Sequence, residues 1–191
     1  MAYKTYITEA MVCGSFDRHT SDRLYMLFTR EAGMVYATAR SVREERSKQR
    51  YSLQDFSHIR VTLIHGKGGW RIAGVESICN YYALCESREA RACVRNVLLL
   101  ARRCIQGEVP HTEIFDDVVA AYEGVHTCDA ALLYTMVSLR MLSALGYVAP
   151  HRDLDRVLAA VNPIESVLGV SPREKEYCAG AVEHALAQSQ L

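Results

Sequence analysis

Long apolar runs are missing from this 191-residue sequence. The strongest, Val97–Ala101 and Ala130–Val137, fall well short of the ~18–20 residues that span a bilayer. The opening Met-Ala-Tyr-Lys-Thr-Tyr starts no apolar run and carries no small-residue cleavage pattern, so no signal peptide is expected and a cytoplasmic setting is. There is no C-x-x-C pair, which removes the strongest zinc signature. His126 with Cys128 and Cys178 with His184 have no ligand-pair spacing, so neither metal nor cofactor is expected. There is no G-x-S-x-G and no H-E-x-x-H. Gly66-Lys67-Gly68-Gly69 lacks the preceding glycine and following hydroxyl residue of a phosphate loop, and it sits in a hairpin. Asp116-Asp117 reads as acidic complement to a helix start. No enzyme is expected.

Half of the residues are apolar and 23% are charged, a globular composition. The seven cysteines, an odd number lying mostly within apolar patterns, read as buried free thiols. A formal net charge of zero hides an asymmetry. Residues 1–80 hold twelve Lys and Arg against eight Asp and Glu, and residues 81–191 hold ten against fourteen. This contrast points to an anionic partner for the first half and a different task for the second.

The first eighty residues alternate with the period of a pleated ribbon. Tyr6–Cys13, Leu24–Phe28, Met34–Ala39, Ile59–Ile64 and Trp70–Val75 read as strands. Gly14–Ser21 reads as a loop, Gly33 as a hairpin position at positive φ, and His65–Gly69 as a second hairpin. Five strands in this length suit a small closed barrel, because closure removes exposed edges; OB-like and SH3-like barrels both fit the count.

Beyond Glu76 the period lengthens to three and four residues. Helices are expected over Arg88–Ile105, over Ile114–Tyr122 with Thr112 as cap, over Asp129–Leu145 and over Asp153–Val161. A last helix opens at Ser171-Pro172-Arg173-Glu174, with a capping serine, proline at the first position and a nearby glutamate. The fold class is α+β: an OB-like five-stranded barrel over residues 1–78, then an all-α helical bundle over 79–191.

After the third strand, Arg40-Ser-Val-Arg43-Glu-Glu-Arg46-Ser-Lys48-Gln-Arg50 places five cations in eleven residues. Such a loop leaving a barrel strand can line a groove with phosphate-binding charge, with Tyr36 and Tyr51 nearby for base stacking. On composition alone it reads first as a solvated charged loop offset by Glu44 and Glu45.

Two separated stretches resemble one known family. Leu27-Phe-Thr-Arg-Glu-Ala-Gly33-Met-Val, running on to Ala39-Arg40-Ser41-Val42-Arg43, resembles the hairpin, small-residue strand and basic run of the RecO barrel. Ser47-Lys48-Gln49-Arg50-Tyr51-Ser52-Leu53-Gln54-Asp55-Phe56 and the acidic Asp22 match further positions. Downstream, Phe115 and its helix, then Ser138-Leu-Arg140-Met-Leu-Ser-Ala-Leu145-Gly146-Tyr147-Val-Ala-Pro150, resemble that family's helical signature. The likeness covers residues 6–156. Where the family continues into a four-cysteine zinc knuckle, this chain has Val157 in place of the first cysteine, so a zinc-less member is expected.

The resemblance implies a nucleoid-associated recombination mediator in DNA repair. It would bind single- and double-stranded DNA through Arg40, Arg43, Arg46, Lys48 and Arg50 and anneal complementary strands. It would load a RecA-type recombinase together with a RecR-like protein and the tail of single-strand-binding protein. Arg140 is the candidate for meeting that acidic tail, or else forms a buried ion pair. The alternative is a protein-interaction scaffold whose barrel no longer binds nucleic acid.

Overall fold

A computed structural model describes residues 5–18 and 20–188. Residues 1–4, on which most of the reading of the N-terminus rests, and His19, within the expected Gly14–Ser21 loop, lie outside the described residues.

Five strands, β1 (Thr5–Arg18), β2 (Asp22–Thr29), β3 (Gly33–Ala39), β4 (Ser57–Gly66) and β5 (Gly69–Asn80), precede the main helices. They close in the order β1-β2-β3-β5-β4, all antiparallel except β3 with β5. The alternating residues Ala10, Val12, Tyr25, Leu27, Val35, Ala37, Ile59, Val61, Leu63 and Ile72 fill the interior. Period-two alternation sends every second side chain inward, so burial of this set fixes the register.

β1 runs five residues past the strand end expected at Cys13, because a bulge between Val12 and Gly14 lets pairing with β2 resume. Gly14 takes φ 152, and the Val12 carbonyl accepts the Phe56 N–H at 2.9 Å. β5 likewise runs to Asn80, past the expected Val75. Asn80 ends it: its side-chain carbonyl accepts the Ala83 N–H at 2.9 Å and opens the short α2 (Tyr81–Leu84), which the sequence period does not register.

Gly33 adopts φ +65 in the β2–β3 turn, as expected of this hairpin. A Cβ there would strike the Val109 carbonyl oxygen, because the segment Ile105–Thr112 packs over the turn. The Met34 N–H donates to the Gly107 carbonyl at 3.0 Å, and the Trp70 indole donates to Glu108 at 2.8 Å. Among the described residues, contacts divide the chain into two compact units. One runs to Leu84 and takes in Ile105–Thr112; the other holds Cys85–Cys104 and the chain from Glu113.

The second unit is helical. After the one-turn α1 (Gln49–Ser52) and α2 of the first unit come α3 (Arg88–Cys104), α4 (Thr112–Gly124), α5 (Ala130–Ala144), α6 (Arg152–Ala159), α7 (Pro163–Val167) and α8 (Pro172–Gln188). The central α5 buries Leu132, Leu133, Met136, Val137, Leu139, Met141 and Leu142, so apolar contact nearly surrounds it. Asp129 caps it by accepting from Ala131 and Leu132. Thr112 is the first residue of α4 rather than its side-chain cap, and its hydroxyl donates to the Arg30 carbonyl at 3.3 Å. The Tyr122 hydroxyl donates to the Val94 carbonyl at 2.8 Å and ties α4 to α3. All seven cysteines are free thiols, five of them buried, and burial pushes the Cys93 thiol up to about 12. Among the described residues no helix is long and apolar enough to cross a membrane.

Candidate nucleic-acid interface

The loop after β3 is anchored at both ends by apolar side chains. Val42 and Leu53 are buried in the barrel core, which turns the intervening polar residues outward. Its root is bonded to the β1–β2 turn. Asp22 accepts the Ser41 N–H at 2.8 Å, and the Ser21 carbonyl accepts the Arg43 N–H at 3.1 Å. Ser41 sits at φ 50, a left-handed conformation that costs a non-glycine residue energy unless surrounding bonds hold it. The bond to Asp22 supplies that hold.

The five expected cations are then not equivalent. Arg43 reaches Asp17 at 3.6 Å, and Arg46 bonds Glu44 at 2.8 Å. The Ser41 side chain and then Arg46 hold the Glu44 carboxyl below the usual carboxylate range. Arg50 donates to the Tyr51 hydroxyl at 2.9 Å and lies 4.8 Å over its ring, so the stacking face of Tyr51 is partly occupied. Among the described residues Arg40 and Lys48 pair with no carboxylate, and both are exposed.

Beside the loop lies an outward-facing strip of the sheet. Register sets Arg71, Thr38, Leu24 and Phe16 in one row across β5, β3, β2 and β1. Tyr36, paired with Met26, stands one row away. Tyr36 is 48% exposed and Phe16 is 50% exposed. Arg18 leans across β2 to donate to the Thr38 hydroxyl at 2.9 Å. Cations thus flank two exposed rings, an arrangement able to stack bases and neutralise phosphates. Phe16 and Arg18 escape the sequence reading because Gly14 looks like the end of a strand, and Arg71 because its place beside Thr38 is set by the pairing of β5 with β3, which strand periodicity does not report. Restarting the alternation after Gly14 would place Phe16 and Arg18 on one face.

Arg140 is turned inward, with 14% of its side chain exposed. Its guanidinium donates to both Asp117 oxygens, at 2.7 and 3.0 Å, and to the carbonyls of Val157, Leu158 and Ala160. With these donors committed, the expected contact with an acidic tail gives way to the buried ion pair. Val157, at the expected cysteine position, packs fully buried. Among the described residues no three His, Cys, Asp or Glu side chains gather as metal ligands.

Residues 1–81 match the family profile described as recombination protein O, N terminal. A DNA repair protein RecO from Desulfitobacterium hafniense is 32% identical over 145 residues, covering 74% of this chain and 52% of the relative. That from Myxococcus xanthus is 30% identical over 111 residues, 58% of this chain and 46% of the relative. That from Heliobacterium modesticaldum is 25% identical over 162 residues, 85% and 58% respectively. The chain spans about half the length of the curated relatives it matches. The profile and the relatives show the family: the chain belongs to the RecO family.

Proposed function

We propose that this chain is a DNA-binding recombination mediator in DNA repair, with an OB-like barrel as its strand-binding module. The observation that carries the reading is the grouping of exposed Tyr36 and Phe16 with Arg18 and Arg71 on one outward face of the sheet, with exposed Arg40 and Lys48 on the loop that leaves β3. OB-type barrels bind single strands on such a sheet face, with aromatic stacking for bases and cations for the backbone. Annealing of complementary strands and loading of a RecA-type recombinase follow from holding strands without bond chemistry. A RecR-like protein and the tail of single-strand-binding protein are the partners this role calls for.

Anisotropy of a labelled single-stranded oligonucleotide, titrated across a salt series, tests the reading. Arg40→Ala with Lys48→Ala should flatten the log–log salt slope by about 1.4, at roughly 0.7 per phosphate contact. Tyr36→Ala should weaken binding by about 1–3 kcal/mol without changing the slope, because stacking releases no counterions.

The scaffold reading has its own support in Asp17 and Glu44, which already engage Arg43 and Arg46. It is the one left standing if folded protein binds no oligonucleotide at low salt yet retains a RecR-like partner.

A further inference from the structure

The second half of the chain is acidic only on average. Within it, α3 carries five arginines, Arg88, Arg91, Arg95, Arg102 and Arg103, and one acid, Glu89. At 100° per residue the five arginines fall within an arc of about 120°, and Glu89 lies outside it. The opposite side buries Ala90, Cys93, Val94, Val97, Leu98, Leu100, Ala101 and Cys104, which fixes the arginine arc toward solvent. All five are exposed, together with Leu99 at 47%.

Among the described residues none of these five guanidinium groups reaches a carboxylate within 4 Å. Elsewhere the arginines are commonly paired: Arg23 with Asp17, Arg46 with Glu44, Arg140 with Asp117, Arg156 with Glu174. A row of unpaired like charges about 22 Å long repels itself and is relieved by a polyanion.

We infer that this face of α3 is a second nucleic-acid-binding surface, which holds a strand by its phosphates alone. Guanidinium groups match phosphate oxygens as planar two-donor forks. The arc carries no aromatic ring, so it offers bases nothing to stack on and reads backbone without sequence. An acidic peptide would gain charge contacts here, but the arc offers its side chains only Ala92 and Leu99 to pack against. A mediator holding one strand on its barrel and another on α3 would carry two strands at once. That role rests on the barrel reading, whereas the binding surface itself does not.

The test uses the whole chain and the same oligonucleotide titration. Arg91→Gln, Arg95→Gln and Arg102→Gln together should reduce the salt slope by about 2, at roughly 0.7 per lost contact. Lysine at the same three positions should restore it, which separates charge from damage to the helix. The barrel pair Arg40→Gln and Lys48→Gln should subtract independently. If the α3 variant loses slope and the barrel variant does not, this surface stands and the barrel reading falls. An unchanged slope in the folded α3 variant overturns the inference. So does loss of binding to a labelled glutamate dodecapeptide with oligonucleotide binding intact, which would assign the face to an acidic protein.

Discussion

Arg140 and Asp117 show how one side chain can join three helices. The guanidinium sits on α5, its carboxylate partner on α4, and three of its carbonyl acceptors at or just past the end of α6. Burial raises the Asp117 carboxyl above its usual range even though Arg140 pulls it down, so desolvation outweighs the pairing. A carboxyl raised in the fold favours the folded state at low pH, and that contribution is lost as pH rises through the folded value. Arg140→Ala strands a buried carboxylate and three carbonyls, and it should cost about 3–5 kcal/mol in urea unfolding at neutral pH. With Arg140 gone the Asp117 carboxyl rises further, so the deficit should shrink as pH falls and the carboxyl takes up its proton. A deficit independent of pH would mean that lost packing, not charge, is the cause. A buried ion pair was one of the two readings open at Arg140, but its partner was not legible: a helical period gives its face on α5 but cannot say that Asp117, 23 residues earlier, stands opposite.

Among the elements, α8 follows its sequence most closely. The Ser171 hydroxyl accepts the Glu174 N–H at 3.2 Å, and Glu174 accepts the Ser171 N–H at 2.8 Å. This is the reciprocal box expected from Ser171-Pro172-Arg173-Glu174. Arg156 first, then Ser171, hold the Glu174 carboxyl down at about 2. A depressed carboxyl stabilises the fold above its ordinary range, and that stability is lost as pH falls toward the folded value. Glu174→Gln should therefore remove part of the stability loss between the ordinary glutamate range and pH 2, measured by thermal melts at stepped pH. Ser171→Ala should cost about 1 kcal/mol. An acid limb identical to that of the parent would show that Glu174 does not titrate with folding. β1 is the counter-example. Its bulge at Cys13 and Gly14 resets the alternation, so a correct period of two ended five residues early and hid Phe16 and Arg18. In α3 the apolar period was plain, but averaging charge over residues 81–191 concealed the arginine arc. The basic loop and its offset by Glu44 were visible as composition; that Asp17 engages Arg43 depends on a contact no local pattern encodes.

At the scale of the molecule, the path of the chain matters more than the two cores taken singly. Ile105–Thr112 belongs to the barrel unit, yet helical segments of the other unit flank it on both sides. The barrel relies on that segment, since the Gly107 carbonyl accepts the Met34 N–H and Glu108 accepts the indole of Trp70. Were α3 to melt, keeping the segment in place would require closing a loop of about twenty disordered residues, an entropic cost of a few kcal/mol. Loss of the helical unit should therefore pull the barrel down with it. Trp70 is the sole tryptophan, so its fluorescence reports the barrel, while far-ultraviolet dichroism is dominated by the helices. The two signals should share one urea midpoint in the intact chain. A barrel midpoint clearly above the helical one would show that the barrel keeps its own stability after the helices are gone, and would reduce the returning segment to a tether.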